Sequence, residues 1–239
     1  MENWWFLVLE FAVAISLLTL SRRQPFPGPS RRYGSILLVI AILLLIGESS
    51  PRATNPQVHM ILLLVYGGLG LTRGIHNMVK TREEVIVAPF AGFLFSISAT
   101  AMMAEQWPDL SKFEEYAAFA TIVLIGMGQT WLVFRGLLIG RLPLAWSKSG
   151  LMALQRGHIN GEHGAIECFE RAWDLEEEHL NPMAWFALSK INESIGNKKE
   201  AEHWSQRMEE SGGTDAIAKE WIEAIESAIK KLEKYSEEE

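Results

Sequence analysis

Five long apolar stretches in the first 140 residues constrain the fold more than any other feature of this chain. They are Asn3–Leu20, Tyr33–Gly47, Gln57–Thr72, Glu84–Ala104 and Tyr116–Phe134. A helix that crosses a bilayer needs about 20 predominantly apolar residues. The second and third stretches have shorter apolar cores, which leaves buried or re-entrant segments open as alternatives to spans. The charges of the flanking loops favour spans, so we expect a transmembrane domain with five helices over residues 1–141.

Basic residues alternate from one loop to the next. The segments after the first, third and fifth stretches hold 4, 3 and 3 Lys and Arg, whereas the N-terminal tail holds none and the other two loops hold one each. Cytoplasmic loops collect Lys and Arg. We therefore expect the N-terminus outside and the C-terminal domain in the cytoplasm. The first stretch is expected to remain as a span, because no basic residues precede it as they do in a cleaved signal peptide.

The remainder of the chain, residues 142–235, differs sharply in charge. Residues 1–149 carry 12 Lys and Arg against 9 Asp and Glu, a net charge of +3, whereas residues 150–239 carry 10 against 20, a net charge of −10. The acidic part would repel the phosphates of a nucleic acid, so no nucleic-acid partner is expected. It favours a basic protein or peptide instead. Residues 236–239 are expected to form a disordered tail.

One hairpin of this acidic part has a recognisable residue spacing. Its four signature residues are Trp185, Leu188, Gly196 and Ala201, and the preceding unit places Ala165, Phe169 and Ala172 at the spacing of a small-large-small packing face. The pattern resembles the tetratricopeptide repeat. Ser189, Asn192 and Ser205 depart from the residues usual in that repeat. Another type of helical hairpin array therefore stays open as the alternative.

The last segment carries an apolar stripe at helical spacing, made of Ile217, Trp221, Ile225, Ala228 and Leu232. This stripe predicts a capping helix, because a repeat array needs a terminal element with a polar outer face. The predicted fold class is therefore all-α: a five-helix transmembrane bundle, then a short cytoplasmic tetratricopeptide-like array with a C-terminal capping helix. Two repeats are fewer than the roughly three that usually give independent stability. We therefore expect a homo-oligomer or a place in a membrane complex.

The resemblance also implies a partner-binding face. In this family the first helix of each repeat lines a groove that takes an extended or helical peptide. Trp185 and Leu188 are expected on the buried side of that helix, and the opposite side carries the four residues expected to bind the partner: Met183, Phe186, Lys190 and Glu193.

Glu10 is the one carboxyl group deep inside an apolar stretch. A polar group at that depth is costly unless it finds a partner. Counting about 1.5 Å per residue along each helix places Tyr66 and Ser96 at a similar depth. We therefore expect an intramembrane polar cluster of Glu10, Tyr66 and Ser96.

Chemistry-bearing motifs are few, so we expect no enzyme, no cofactor and no metal site. His158 and His163 lie five residues apart, a spacing that does not place them on one helix face. The glycines of GGLGLTRG, in the third apolar stretch, favour close helix packing over nucleotide binding. The expected function is a membrane-anchored scaffold or adaptor whose cytoplasmic module binds a partner or helps assemble a membrane complex. The alternative is a transporter, channel or sensor that the module regulates.

Overall fold

Every regular element of the structure is a helix within the residues that it describes. The computed structural model covers residues 4–51, 54–81, 83, 86–134, 142–175 and 177–237. Contacts divide the chain into two compact units, Met1–Gly140 and Arg141–Glu239.

The first unit contains five helices in its described residues. These are α1 (Trp4–Ser21), α2 (Pro27–Glu48), α3 (Pro56–His76), α4 (Val87–Gln106) and α5 (Lys112–Val133). A π-helical turn, Asn77–Thr81, continues α3. All five are long and apolar enough to cross a membrane, including the two whose apolar cores look short in the sequence. The expectation of a helical membrane protein is thereby confirmed.

The helices α2 and α3 both begin at a proline. Pro27 starts α2 six residues before the apolar stretch, and Pro56 starts α3. Proline suits the first helical turn because its φ is already helical and its missing N–H would have had no helical partner. The side chain of Asn55 caps α3 by accepting a hydrogen bond from the backbone N of Gln57 at 3.0 Å.

The first unit packs as helix pairs, with α1 against α2, α3 against α4, and α5 against α4. Its core includes five fully buried leucines, which are Leu7, Leu17, Leu37, Leu63 and Leu94. Gln129 links α5 to α4, because its Nε2 donates to the carbonyl oxygen of Pro89 at 2.7 Å. Most of the other side chains of α5 are exposed, as lipid-facing side chains are.

The closest helix pair of this unit, α3 and α4, depends on glycine. A Cβ added to Gly67 would lie 2.7 Å from the backbone N of Phe95, and one added to Gly74 would lie 2.5 Å from the backbone N of Ala88. Both distances are shorter than a side-chain carbon tolerates. The two backbones therefore meet at glycines, as the sequence GGLGLTRG predicts.

Within its described residues, the second unit holds five further α-helices. These are α6 (Leu142–Gln155), α7 (Ala165–Glu170), α8 (Asn181–Ser194), α9 (Lys198–Glu210) and α10 (Lys219–Glu237). Here α6 packs against α7, α8 against α9 and α7 against α8, while α10 lies on α6 and α8. Gly196 ends α8 with a φ of +80°, a left-handed conformation that glycine adopts without strain. The disordered tail was expected to begin at residue 236, but α10 extends to Glu237. Residues 238 and 239 lie outside the described ranges.

Replacing Gly67 tests the close contact between α3 and α4. We expect Gly67→Ala to lower the free energy of unfolding by about 1–3 kcal/mol, because the two backbones must separate to admit the methyl group. Gly126→Ala in α5 is the matched control, since a Cβ there meets nothing within 4 Å. Thermal unfolding of the full-length protein in mild detergent, followed by circular dichroism, measures both. Equal stability of the two variants would contradict the close contact.

Candidate functional sites

Three ionisable side chains form a connected chain in the first unit. Glu10 of α1 is fully buried, and its Oε1 lies 3.3 Å from Nδ1 of His59 in α3. Nε2 of His59 lies 3.4 Å from Oε1 of Glu48, the last residue of α2. We call these three residues the Glu–His–Glu chain. It joins α1, α2 and α3 through side chains on three different helices.

Local structure places each member of the Glu–His–Glu chain. Asn55 and Pro56 start α3 just before His59, so the histidine occupies the first turn of that helix. The ring of Phe6 stacks on the imidazole of His59 with centroids 5.8 Å apart and planes 18° apart, and it holds the orientation of that ring. Both imidazole nitrogens consequently face carboxylate oxygens.

The predicted cluster of Glu10, Tyr66 and Ser96 is wrong in its hydrogen bonds. Glu10 pairs with His59. The hydroxyl of Tyr66 donates to the carbonyl oxygen of Tyr33 at 2.7 Å, and that of Tyr33 donates to the carbonyl oxygen of Tyr66 at 3.3 Å. Ser96 donates to the carbonyl oxygen of Gly92, one turn earlier in its own helix, at 2.6 Å. Equal depth in the membrane does not decide contact, because side chains at one depth can point to different sides of their helices.

His59 is the functional candidate that the sequence analysis missed. It lies only two residues inside the third apolar stretch, where a histidine is easily assigned to the membrane surface. The signal for it was the combination of Glu48 at the end of one apolar stretch and His59 at the start of the next. In antiparallel neighbouring helices these positions meet at the same end.

The second unit is built around a core of its own. Leu154, Phe169, Leu188, Ile191 and Ile225 are fully buried in one cluster. Cys168, the one cysteine of the chain, is also buried, and burial raises the pKa of its thiol. Its Sγ lies 3.6 Å from the Oγ of Ser149. The thiol is thus a protonated core group.

The predicted partner-binding face divides into a buried and an exposed part. Phe186 is only 4% exposed and belongs to the core, so its expected exposure is wrong. Met183 is partly buried against the same core. Lys190 and Glu193 do reach the surface, where Nζ of Lys190 donates to Oε2 of Glu193 at 2.8 Å.

The helix α10 lies against α8, the helix that carries Met183 and Phe186. This helix packs on both α6 and α8, the first helices of the two pairs. The indole Nε1 of Trp221 donates to the carbonyl oxygen of Met183 at 3.1 Å, and its ring meets Phe169 edge-on. The apolar stripe of α10 therefore covers the face that the resemblance assigns to a ligand.

Another surface of the second unit combines aromatic, apolar and cationic groups. The guanidinium carbon of Arg207 lies 5.6 Å from the ring centroids of both Trp173 and Trp204. Leu175, two residues after Trp173, is 77% exposed, the largest exposed fraction of any large hydrophobic side chain described in this unit. We call Trp173, Leu175, Trp204 and Arg207 the Trp–Arg surface. Its Trp204 is only 9% exposed and belongs to the core, and its Trp173 is partly buried.

Acidic groups lie between α7 and α9. The pKa of Glu170 is raised, first by partial desolvation and then by the charges of Glu200 and Glu167. Oε1 of Glu167 accepts from Arg171 at 2.6 Å, and the guanidinium of Arg171 lies 5.1 Å from the ring centroid of Trp146. The negative charge of this unit is thus dense enough locally for its carboxylates to repel one another.

Among the described residues, no group of three His, Cys, Asp or Glu side chains is arranged to hold a metal ion. Compared with protein-family models, curated proteins and solved structures, the chain shows no match.

The burial of Phe186 leads to a stability prediction for Phe186→Ala. Truncating a core Phe costs about 3–5 kcal/mol. Because Cys168 is buried in the same unit, its rate of reaction with a thiol reagent reports opening of that unit within the full-length protein. We expect labelling of Phe186→Ala to be about 150- to 5,000-fold faster than labelling of the unchanged protein, because each 1.4 kcal/mol corresponds to a factor of about ten.

Ile195→Ala is the control for this experiment, since Ile195 is 44% exposed and follows the end of α8. It should change the labelling rate of Cys168 little. If Phe186→Ala also leaves the rate unchanged, Phe186 does not contribute to the core.

Proposed function

We propose that this protein is a membrane-anchored adaptor whose helical second unit binds a cytoplasmic protein. The observation that carries the proposal is the Trp–Arg surface on a unit that has its own core. Trp and Arg are the residue types most enriched where binding energy concentrates. A function limited to membrane anchoring requires no such surface.

The Trp–Arg surface replaces the inner face of the first helices as the proposed docking region. That inner face lies against α10, whereas Leu175 is exposed and Trp173 is partly exposed. Carboxylates of Glu170 and Glu200 lie on the neighbouring helices α7 and α9. A partner with an apolar anchor and basic flanking residues fits this combination, because opposite charge speeds encounter and selects the partner.

The proposed orientation places the N-terminus outside and the second unit in the cytoplasm. It rests on the alternation of Lys and Arg between the loops. Protease added to right-side-out vesicles should leave the second unit intact, and the same protease should digest it after the vesicles are lysed. Digestion before lysis would reverse the orientation and remove a cytoplasmic partner from consideration.

Leu175→Glu tests the adaptor proposal directly. A charge at the centre of an apolar contact should weaken the complex by at least about tenfold, equivalent to about 1.4 kcal/mol. The full-length protein is cross-linked in its native membranes and purified in mild detergent, and the cross-linked proteins are quantified by mass spectrometry. Recovery of the partner should also fall as the salt concentration rises.

Ile195→Glu is the matched control, because it introduces the same charge at the other exposed large hydrophobic side chain described in this unit. It should retain the partner. Loss of the partner from both variants would point to a general effect of charge, and retention by both would exclude the Trp–Arg surface as the docking region.

A transporter, channel or sensor is the second candidate function. The Glu–His–Glu chain favours it, since ionisable groups inside a membrane frequently belong to ion or proton pathways. Helix interruptions of the kind found in secondary transporters are not present within α1 to α5. The adaptor therefore remains the first proposal.

A further inference from the structure

The Glu–His–Glu chain runs from the C-terminal end of α2 into the interior of the first unit. Glu48 is the last residue of α2, and its side chain is 11% exposed. His59 lies three residues into α3, about 4–5 Å along that helix, and it is fully buried. Glu10, six residues into α1, lies about 9 Å along its helix and is also fully buried. Exposure thus falls along the chain from Glu48 to Glu10.

Counting donors shows that the chain holds protons that can move. An ionised carboxylate only accepts hydrogen bonds, and a neutral imidazole has a single N–H. Each of the two contacts of His59 needs a proton between nitrogen and oxygen. Two protons are therefore shared, either on an imidazolium between two carboxylates or on a neutral imidazole beside one carboxylic acid. Both arrangements leave a net charge of −1.

One oxygen atom of the Glu–His–Glu chain lacks a hydrogen-bond partner among the described residues. Oε2 of Glu10 is buried and has no hydrogen-bond partner in the described part of the protein. A buried polar atom left unsatisfied costs free energy, and a buried charge costs more. A proton on Glu10 lowers that cost because it removes the charge from the least accessible carboxyl.

Among the described residues, few other ionisable groups lie near the Glu–His–Glu chain. On α3, Arg73 and His76 occupy the opposite end of the helix. On α4, Glu105 lies in the last turn and is exposed. On α2, the hydroxyl of Tyr33 bonds to the carbonyl oxygen of Tyr66. Glu10 therefore has Glu48 and His59 as its described ionisable neighbours.

We propose that the Glu–His–Glu chain is a proton-binding site that takes up one proton from water at Glu48 and neutralises Glu10. The step starts from the arrangement with an imidazolium between two carboxylates. The incoming proton forms an O–H bond on Glu48 and removes one of the two negative charges that stabilise the imidazolium of His59. His59 then transfers its Nδ1 proton to Oε1 of Glu10 and keeps the proton on Nε2. One proton enters, one N–H bond becomes an O–H bond, and the net charge rises from −1 to zero.

This inference goes beyond the adaptor proposal and does not depend on it. Its ligand is the proton. The described residues show no group arranged for a metal ion, so metal binding is a competing outcome of the experiment and not part of the proposal.

Infrared difference spectroscopy of the full-length protein in lipid nanodiscs tests the proton site. Between about pH 8 and about pH 4, the carbonyl band of newly protonated Glu10 should appear, and it should shift in deuterated water. Glu48 and the exposed carboxyls give bands of their own, so the Glu10 band is identified as the one that depends on Glu10. Glu10→Gln should lose this band. Glu48→Gln and His59→Gln should move its pH midpoint by at least about one unit, because coupled groups titrate together. His76→Gln, at the opposite end of α3, should leave the midpoint unchanged.

A second variant covers the case in which Glu10→Gln does not fold. When all glutamates carry a carboxyl-¹³C label, the band of Glu10 shifts. In labelled Glu10→Asp, residue 10 is an unlabelled aspartate, so its band should not show that isotope shift. The proposal is overturned if the band is absent from the unchanged protein, if it survives Glu10→Gln or keeps its label shift in Glu10→Asp, or if Glu48→Gln leaves its midpoint unmoved. Stoichiometric binding of Zn²⁺ that requires Glu10 and His59 would also overturn it, in favour of a metal site.

Discussion

Polar groups inside a hydrocarbon layer have no water to bond, and this constraint organises the first unit. Backbone amides satisfy it by forming continuous helices, which is why the apolar stretches are helical. Polar side chains satisfy it in part, with one another or with the backbone, although Oε2 of Glu10 has no hydrogen-bond partner among the described residues. Glu10 and His59 do so across α1 and α3, while Tyr33 and Tyr66 each donate to the carbonyl of the other. Gln129 uses the carbonyl of Pro89 in the same way.

Close packing of its helices is the second requirement of the first unit. Lipid chains are as apolar as leucine side chains, so a leucine gains little by moving from lipid to another helix. Apolar burial therefore contributes little to bringing helices together in a membrane, and tight contact must do more. Gly67 and Gly74 permit that contact between α3 and α4. With these helices held together and α1 paired to α2, the Glu–His–Glu chain is fixed where three helices meet.

Water imposes a different rule on the second unit. Its core gathers Phe169, Leu188 and Ile225 from α7, α8 and α10, while charged residues cover its surface. The stripe of α10 makes that core more extensive than two helical pairs alone would allow. The Trp–Arg surface shares Trp204 with this core, whereas its Leu175 is exposed and is available for a partner in our proposal.

The sequence by itself determined the properties that depend on residues close together in the chain. These are the apolar runs, the glycine pattern and the charge balance. Helix formation, membrane length and the close approach at Gly67 follow from such local patterns, as does the amphipathic stripe of α10. The start of α2 was harder to predict from the sequence. Its prolines suggest a loop, but Pro27 fits the first turn of a helix.

Only the tertiary structure decided which side chains meet. Glu10 pairs with His59 and not with Tyr66, since the rotation of each helix about its axis sets the contact and depth along the axis does not. Phe186 is buried in a core to which α6, α7, α9 and α10 also contribute, and these helices are far from α8 in sequence or separated from it by loops. Such contacts depend on the summed packing of whole helices, and no short stretch of residues contains that information.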